Sequence, residues 1–563
     1  MQKITIISIL LLSVLLSSKA QDQRAEAWRS DLDYLVQRIE IMHPDPYAFF
    51  QKEEFYRMKE NLNSKIPNLS DVDIVLSISE LLTNLQDGHT RWAFEYSDPP
   101  WLQQTFHVLP IIQYAFNDGI YIMAGLEQYQ SLVGSKVLQI GEMPVGEVTK
   151  KLAGMWSHDN KPGEKKFFYY TMSMVEMLKK AGAVEDVNKI GMVLANEQGE
   201  KTRVQLPAVD FFSMAQFFAS SWYPQTGNGL IAMNHEADNS LPLWLRNPGK
   251  QFWFEYIQEE KTMFLQINSL NFPHGNGNER SPFGKLCDQF FESFDQSGAE
   301  KMVIDIRSNT GGNHVELPLL EGIMARPDIN REDRLFLITG RVTFSAAVHL
   351  TTILNRYTNI TLVGEPPSGR PNHYGANRAF RLPNHSEIEI HCSIDYYQDS
   401  QPFDFNIIHA PDIYAEMTAA DYRNNLDPAI LAVKNYDRIL KQVNNIEVKL
   451  EQEYNSSGLT GLKKVYRSNK KSLLESGYNR EKFLKEFYYG VLSGNRKSTT
   501  DLTEYLTFAV SECPESIDLN YLLALQLESD GRLEEAKQQY IRCLGSNPAH
   551  HYARMKLELM GLE

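Results

Sequence analysis

"RLFLITGRVTFSAAVHLTTILNRY", residues 334–357, begins as an apolar run of strand length and ends as an amphipathic helix. The run predicts a strand ending at Gly340 and a helix starting near Thr343, a residue type that caps helices by accepting a backbone N–H. Ala346, Leu350, Ile353 and Tyr357 fall on its apolar face; Ser345, His349, Thr352 and Arg356 fall on another. Ser345 is then placed in the first helical turn. Backbone N–H groups there have no helical partner and point where an anion can sit. That setting suits a serine oxygen attacking a carbonyl, because negative charge develops on the carbonyl oxygen. It equally suits a serine that only supports the helix start.

Working outward, residues 250–435 alternate strands with helices. "KTMFLQINSL", "KMVIDIRS" and "RLFLITG" are strands, and "SPFGKLCDQFFESFDQSG" is a helix between them. Such alternation argues for an α/β core with largely parallel strands. "VIDIRSNTGGNH", residues 303–314, is a strand running into a tight turn at Asn309–Gly312. Its two glycines let backbone approach a ligand closely. The phosphate-loop pattern GxxxxGK[ST] is absent. "LLTNLQDGHTRW", residues 81–92, closes an amphipathic helix that begins at Ser70-Asp71. Asp87-Gly88 reads as its stop, with His89 directly after.

The 563 residues are enough for several domains. A net charge of −15 argues against nucleic acid or an anionic membrane as the main partner. The N-terminus has Lys3, an apolar run from Ile4 to Leu16, and small residues at Ser18 and Ala20. It reads as a signal peptide over 1–20, and no later run is long enough to span a membrane. Residues 21–95 read as a helical domain. In 96–210, "FHVLPIIQYAFNDGIYIMAG" gives two strands joined at Asn117-Asp118-Gly119. Residues 211–435 hold the α/β core, and 436–563 a polar helical tail. In the tail, Gly490, Ala509 and Pro514 match Ala524, Cys543 and Pro548 at a shift of 34 residues. The second unit resembles a tetratricopeptide repeat, which suggests a protein partner docking at the tail. The four cysteines form no CxxC pair; Cys513 and Cys543 are the two that fall in one helical region and are candidates for a disulfide. No HExxH occurs among the 14 histidines.

The order "LLTNLQDGHT", "LVGSKVLQIGEMPVGEV", "VIDIRSNTGG", "TFSAA", "TLVGEPPSG" and "APDIYAEMTAADYRNNLDPAI" resembles the secreted C-terminal processing and tricorn-type serine peptidases over about residues 25–435. The resemblance implies an α/β fold with a crotonase-like ββα core, and "LVGSKVLQIGEMPVGEV" looks like part of a PDZ domain. It implies Ser345 as nucleophile and the N–H groups of Gly311 or Gly312 and of Ala346 as oxyanion hole. Many members use a serine–lysine dyad, with the lysine in the turn after "VGE". Arg370 stands there, and arginine stays protonated. No lysine lies between Lys301 and Lys434, so a dyad would need a lysine from outside the core segment, and it is rejected.

The tricorn-like branch uses a histidine where His89 stands, and histidine has the right unperturbed pKa for proton shuttling. Tricorn itself has a serine where this chain has Gly88. It also has a glutamate before "PDI"; Asp404 is the nearest acid here and is the expected partner of His89. His349, one turn after Ser345, is the rival base. Arg370 is a candidate ligand for a substrate carboxylate. The expectation is an exported serine endopeptidase, periplasmic or extracellular, acting on a protein or peptide substrate. No metal or organic cofactor is implied. The alternative is a non-catalytic protein on the same fold that binds peptides or apolar ligands.

Overall fold

A computed structural model describes residues 2–214, 217, 222–234, 241–276, 279–493 and 499–561, with backbone alone at 2–18, 491–493 and 499–500. The fold is mixed α/β. The central sheet has six strands in the order Phe252–Ile257, Thr262–Ile267, Lys301–Asp305, Leu335–Thr339, Thr361–Gly364 and Ile413–Tyr414. The first pair is antiparallel and the remaining four pairings are parallel. The alternation expected for 250–435 is therefore present.

The inner strands are apolar throughout because both sheet faces are covered. Met263, Leu265, Met302, Ile304, Leu335 and Leu337 pack on one side, against the helices Pro282–Ser297, Leu317–Met324 and Ala346–Tyr357. Phe264, Val303, Phe336 and Ile338 point the other way, into a core shared with the tail helices. This is the period-two alternation of a strand, with both phases buried.

The N-terminal segment is helical, as expected: Gln2–Met42, Lys52–Lys65 and Asp71–Thr83. Among the described residues no helix is long and apolar enough to cross a membrane. The 96–210 segment carries most of a second, antiparallel sheet. Its hairpin Ile111–Phe116/Gly119–Leu126 turns at Asn117-Asp118, with Gly119 at φ +139°. The tail contains the antiparallel pair Ile517–Ser529 and Leu533–Ser546, which buries Leu523, Ala524, Ala536 and Tyr540. All four cysteines are free and buried; Cys543 Sγ lies against the Ile517 carbonyl, and no disulfide joins it to Cys513.

The tail packs on its own chain. Phe405 stacks on His550 at 3.9 Å, and Asn547 donates to the Phe405 carbonyl. That surface of the tail is occupied, and nothing in its packing points to an external partner there.

The "DIR" and "LDP" motifs meet in a buried ion-pair network. The Arg307 guanidinium donates to both Asp305 oxygens and, as a fork, to Asp427 at 2.9 and 3.0 Å. Asp427 also caps the helix Pro428–Lys434. Arg307 thereby ties the end of a central strand to the segment that closes the core. Removing one partner leaves buried charge uncompensated, typically at about 3–5 kcal/mol. Arg307→Met should lower unfolding free energy by about that amount in chemical denaturation, whereas the exposed pair Arg203–Glu142 should be nearly silent when broken.

Candidate active site

Ser345 is the N-cap of the helix Ala346–Tyr357, not a residue inside its first turn. Its φ of +54° and ψ of −129° lie where non-glycine residues are strained, at a turn between strand and helix. The expected cap, Thr343, does something else. Its hydroxyl accepts from Gly340 N–H and donates to the Ile306 carbonyl at 2.9 Å. Phe344 N–H donates to the Asn309 carbonyl. These bonds fasten the serine turn to the glycine turn. Ala346, Leu350 and Ile353 are buried as the helical spacing predicts, but Tyr357 is exposed.

Gly311 and Gly312 take φ values of +109° and +141°. A Cβ on Gly311 would stand 2.7 Å from Ser345 Cβ and 2.9 Å from Ala346 N, so only glycine fits. Gly311 N–H is committed to Asn309 Oδ1 at 2.8 Å. Among the described residues no acceptor within the chain takes the N–H of Gly312 or of Ala346.

Ser345, Gly312, His89 and Phe344 line one cleft of about 750 Å³ between the core and the 96–210 segment. His89 is buried, its ring stacked on Phe344 at 4.4 Å. Neither ring nitrogen has a side-chain hydrogen-bond partner among the described residues; the Tyr374 backbone is the polar group that approaches the ring. Burial pulls its pKa down to about 4, against the opposing pull of Asp87. The helix before it ends at Thr83, and the left-handed residue is Gln86 at φ +52°, not Gly88. Gly88 answers to crowding instead: a Cβ there would meet Phe344 at 3.0 Å and Asp159 at 3.1 Å.

The acid beside His89 is Asp87, whose Oδ1 lies 3.9 Å from His89 Nδ1. Asp404 does not take that place. Its carboxylate accepts from Ser400 Oγ, Asn406 N and Asn406 Nδ2, in the loop that carries Phe405 to the tail. Arg370 does not face the cleft either. It is buried, stacked 3.7 Å over the Phe49 ring, and donates to the Gln86 carbonyl and side-chain amide. A substrate carboxylate has no access to a guanidinium held this way. His349 is turned from Ser345 toward Glu316 and Asp399.

Sequence reasoning missed Lys166. It comes from outside the core segment, on the helix Lys161–Thr171, and lines the same cleft. Its Nζ lies 4.4 Å over the Phe344 ring and has no hydrogen-bond or ion-pair partner among the described residues. Burial, aided by Arg91, lowers its pKa to about 7. No spacing or motif marks it, because only the packing of the second sheet on the core brings it there.

No protein-family model matches the chain, and no curated protein does. Among solved structures, mature CPAF is 13% identical over 74% of this chain and 98% of its own, with a TM-score of 0.50. The chain has the fold of mature CPAF. The neighbours include C-terminal processing and tricorn-type proteases. The photosystem II D1 C-terminal processing protease is 14% identical, covering 72% of this chain and 95% of that one, at a TM-score of 0.31. The tricorn protease is 10% identical, covering 73% of this chain and 36% of that one, at 0.32.

The strain at Ser345 has a measurable consequence. Ser345→Gly should be more stable than Ser345→Ala by about 1–2 kcal/mol, because glycine adopts this φ freely and alanine does not. Equal melting and denaturant midpoints for the two variants would show an unstrained turn.

Proposed function

We propose that the chain is an exported serine endopeptidase that hydrolyses peptide bonds of proteins or peptides. The observation that carries this reading is Ser345, held at φ +54° on the cleft wall beside two N–H groups without acceptors. Ser345 Oγ attacks the peptide carbonyl while His89 takes its proton. His89 returns that proton to the leaving amine, and water then releases the acyl group by the same route. Gly312 and Ala346 N–H groups stabilise the oxyanion, and Gly311 shapes the turn. Asp87, in place of Asp404, supplies the negative field beside His89. The organisation into segments 21–95, 96–210, 211–435 and 436–563 stands as part of this proposal. So do a crotonase-like core, a PDZ-like role for 96–210 in holding an extended substrate strand, and a repeat-like tail.

Lys166 favours a second assignment of the base on the same nucleophile, since it is a partnerless amine in the same cleft. The acid limb of the pH–rate profile separates the two. A base must be neutral to accept the proton. His89 is neutral above about 4, so with His89 as base kcat/KM falls only as pH drops through about 4. Lys166 is neutral only above about 7, so with Lys166 as base the fall is centred there. We expect the lower limb, its removal in His89→Ala, and retained activity in Lys166→Met.

Ser345→Ala should abolish hydrolysis of an unfolded protein such as casein with the fold retained. A fluorophosphonate should attach to Ser345 in the parent chain. Hydrolysis surviving in Ser345→Ala would overturn the proposal.

A further inference from the structure

Beside the cleft, on the far side of the serine helix's first turn, three potential ligand side chains converge. One atom each from His314, Glu316 and His349 lies within 4.8 Å of the others. His314 and Glu316 follow directly on the glycine turn, and His349 sits one helical turn after Ser345. We propose that His314, Glu316 and His349 bind a divalent transition-metal cation of the Zn²⁺ class, clamping the glycine turn to the serine helix.

Three features support a built site. Glu316 is 2% exposed, and its second oxygen has no hydrogen-bond partner among the described residues. A buried carboxylate with an idle oxygen is costly unless a cation shares it. His349 Nε2 is 2.6 Å from Glu316 Oε1, while His349 Nδ1 is 2.5 Å from Asp399 Oδ2. One ring nitrogen directed to the ligand cluster and the other to a carboxylate is the arrangement that orients metal-binding histidines. His314 is also turned inward, with Nδ1 3.8 Å from Glu316 Oε1 and its ring edge-on to His349 at 4.4 Å.

Ligands of a tetrahedral zinc stand about 3.4 Å apart, given bonds of about 2.0–2.1 Å. The two separations from Glu316, 2.6 and 3.8 Å, bracket that value, and all three ligand atoms lie within 4.8 Å of one another. His314 is 33% exposed at its side chain, which leaves the cluster open to entry from solvent. Two imidazoles and one carboxylate select zinc-like ions over magnesium or calcium, which prefer all-oxygen sets. The competing account is a protonated His349 held between Glu316 and Asp399. It accounts for His349 and, with a His314 contact to Glu316, for part of the cluster, but it leaves the second Glu316 oxygen idle. Cysteine spacing and HExxH do not reveal this site, because its histidines lie on separate elements.

The test uses the untagged full chain, stripped with EDTA and titrated with ZnCl₂ by calorimetry, with bound metal counted by mass spectrometry. We expect one Zn²⁺ per chain and a raised melting temperature on adding Zn²⁺. His314→Ala should bind at least ten-fold more weakly and lose the thermal shift. His314 touches only this cluster and Tyr397, so that variant keeps its fold. Glu316→Gln provides a second variant with the same expected loss. Equal binding by parent and His314→Ala, or no stoichiometric binding by the parent, overturns the site.

Discussion

The buried carboxylate of Asp87 holds the site together. It accepts from His43 Nε2 at 3.1 Å, Thr90 Oγ1 at 2.6 Å, Ser393 Oγ at 2.6 Å and His89 N at 2.9 Å. Those donors come from the end of the first helix, the histidine loop itself and the strand region beyond Cys392. Burial alone would raise the Asp87 pKa, but the hydrogen bond and charge of His43 hold it well below the usual carboxylate range. A carboxylate satisfied on all sides stays ionised when buried, and a fixed charge is what a neighbouring base needs as it gains a proton. The N-terminal helices thus contribute to the surroundings of His89, because their packing delivers the donor that keeps Asp87 charged.

The cleft follows the same electrostatic logic in the opposite direction. Phe344 is flanked by two titratable groups, the His89 ring at 4.4 Å and Lys166 Nζ at 4.4 Å. Both have depressed pKa values because burial disfavours the charged form, so both are readily neutral. Phe344 sits immediately before Ser345 in sequence. The residue that anchors the strained turn therefore also provides part of the apolar surface beside these two lowered groups.

The core of the fold was legible because its strands are short, apolar and separated by amphipathic helices. The turn at Ser345 and the glycine pair beside it were legible as local structure, because strand, turn and helix follow in register and Gly311 has no room for a Cβ. The acid beside His89 was not. Motif order pointed to Asp404, whose carboxylate is instead bonded to Ser400 and Asn406 in the loop that carries Phe405 to the tail. Lys166 was invisible for a similar reason, since its position depends on how one sheet packs on another. Cys513 and Cys543, candidates by helical proximity alone, are free and buried, because proximity does not orient two thiols toward each other. Periodicity predicts elements and faces, and long-range partners lie beyond it.

Arg370 shows how one residue can move a position from chemistry to architecture. The resemblance carried by the sequence motifs implies a lysine base at this position, where a lysine can lose its proton. An arginine cannot, and a permanent buried charge must be compensated. Here the guanidinium stacks on Phe49 and donates to Gln86, the residue at positive φ that redirects the chain toward His89. Asp159 completes the arrangement. One of its oxygens takes Gly88 N–H at 2.6 Å and the other faces Arg370 N–H at 3.4 Å. The backbone on both sides of Asp87 is therefore held by Arg370 and its neighbour. Arg370 thus offers no proton acceptor of its own, and its contacts with Gln86 and Phe49 fix the loop that carries His89.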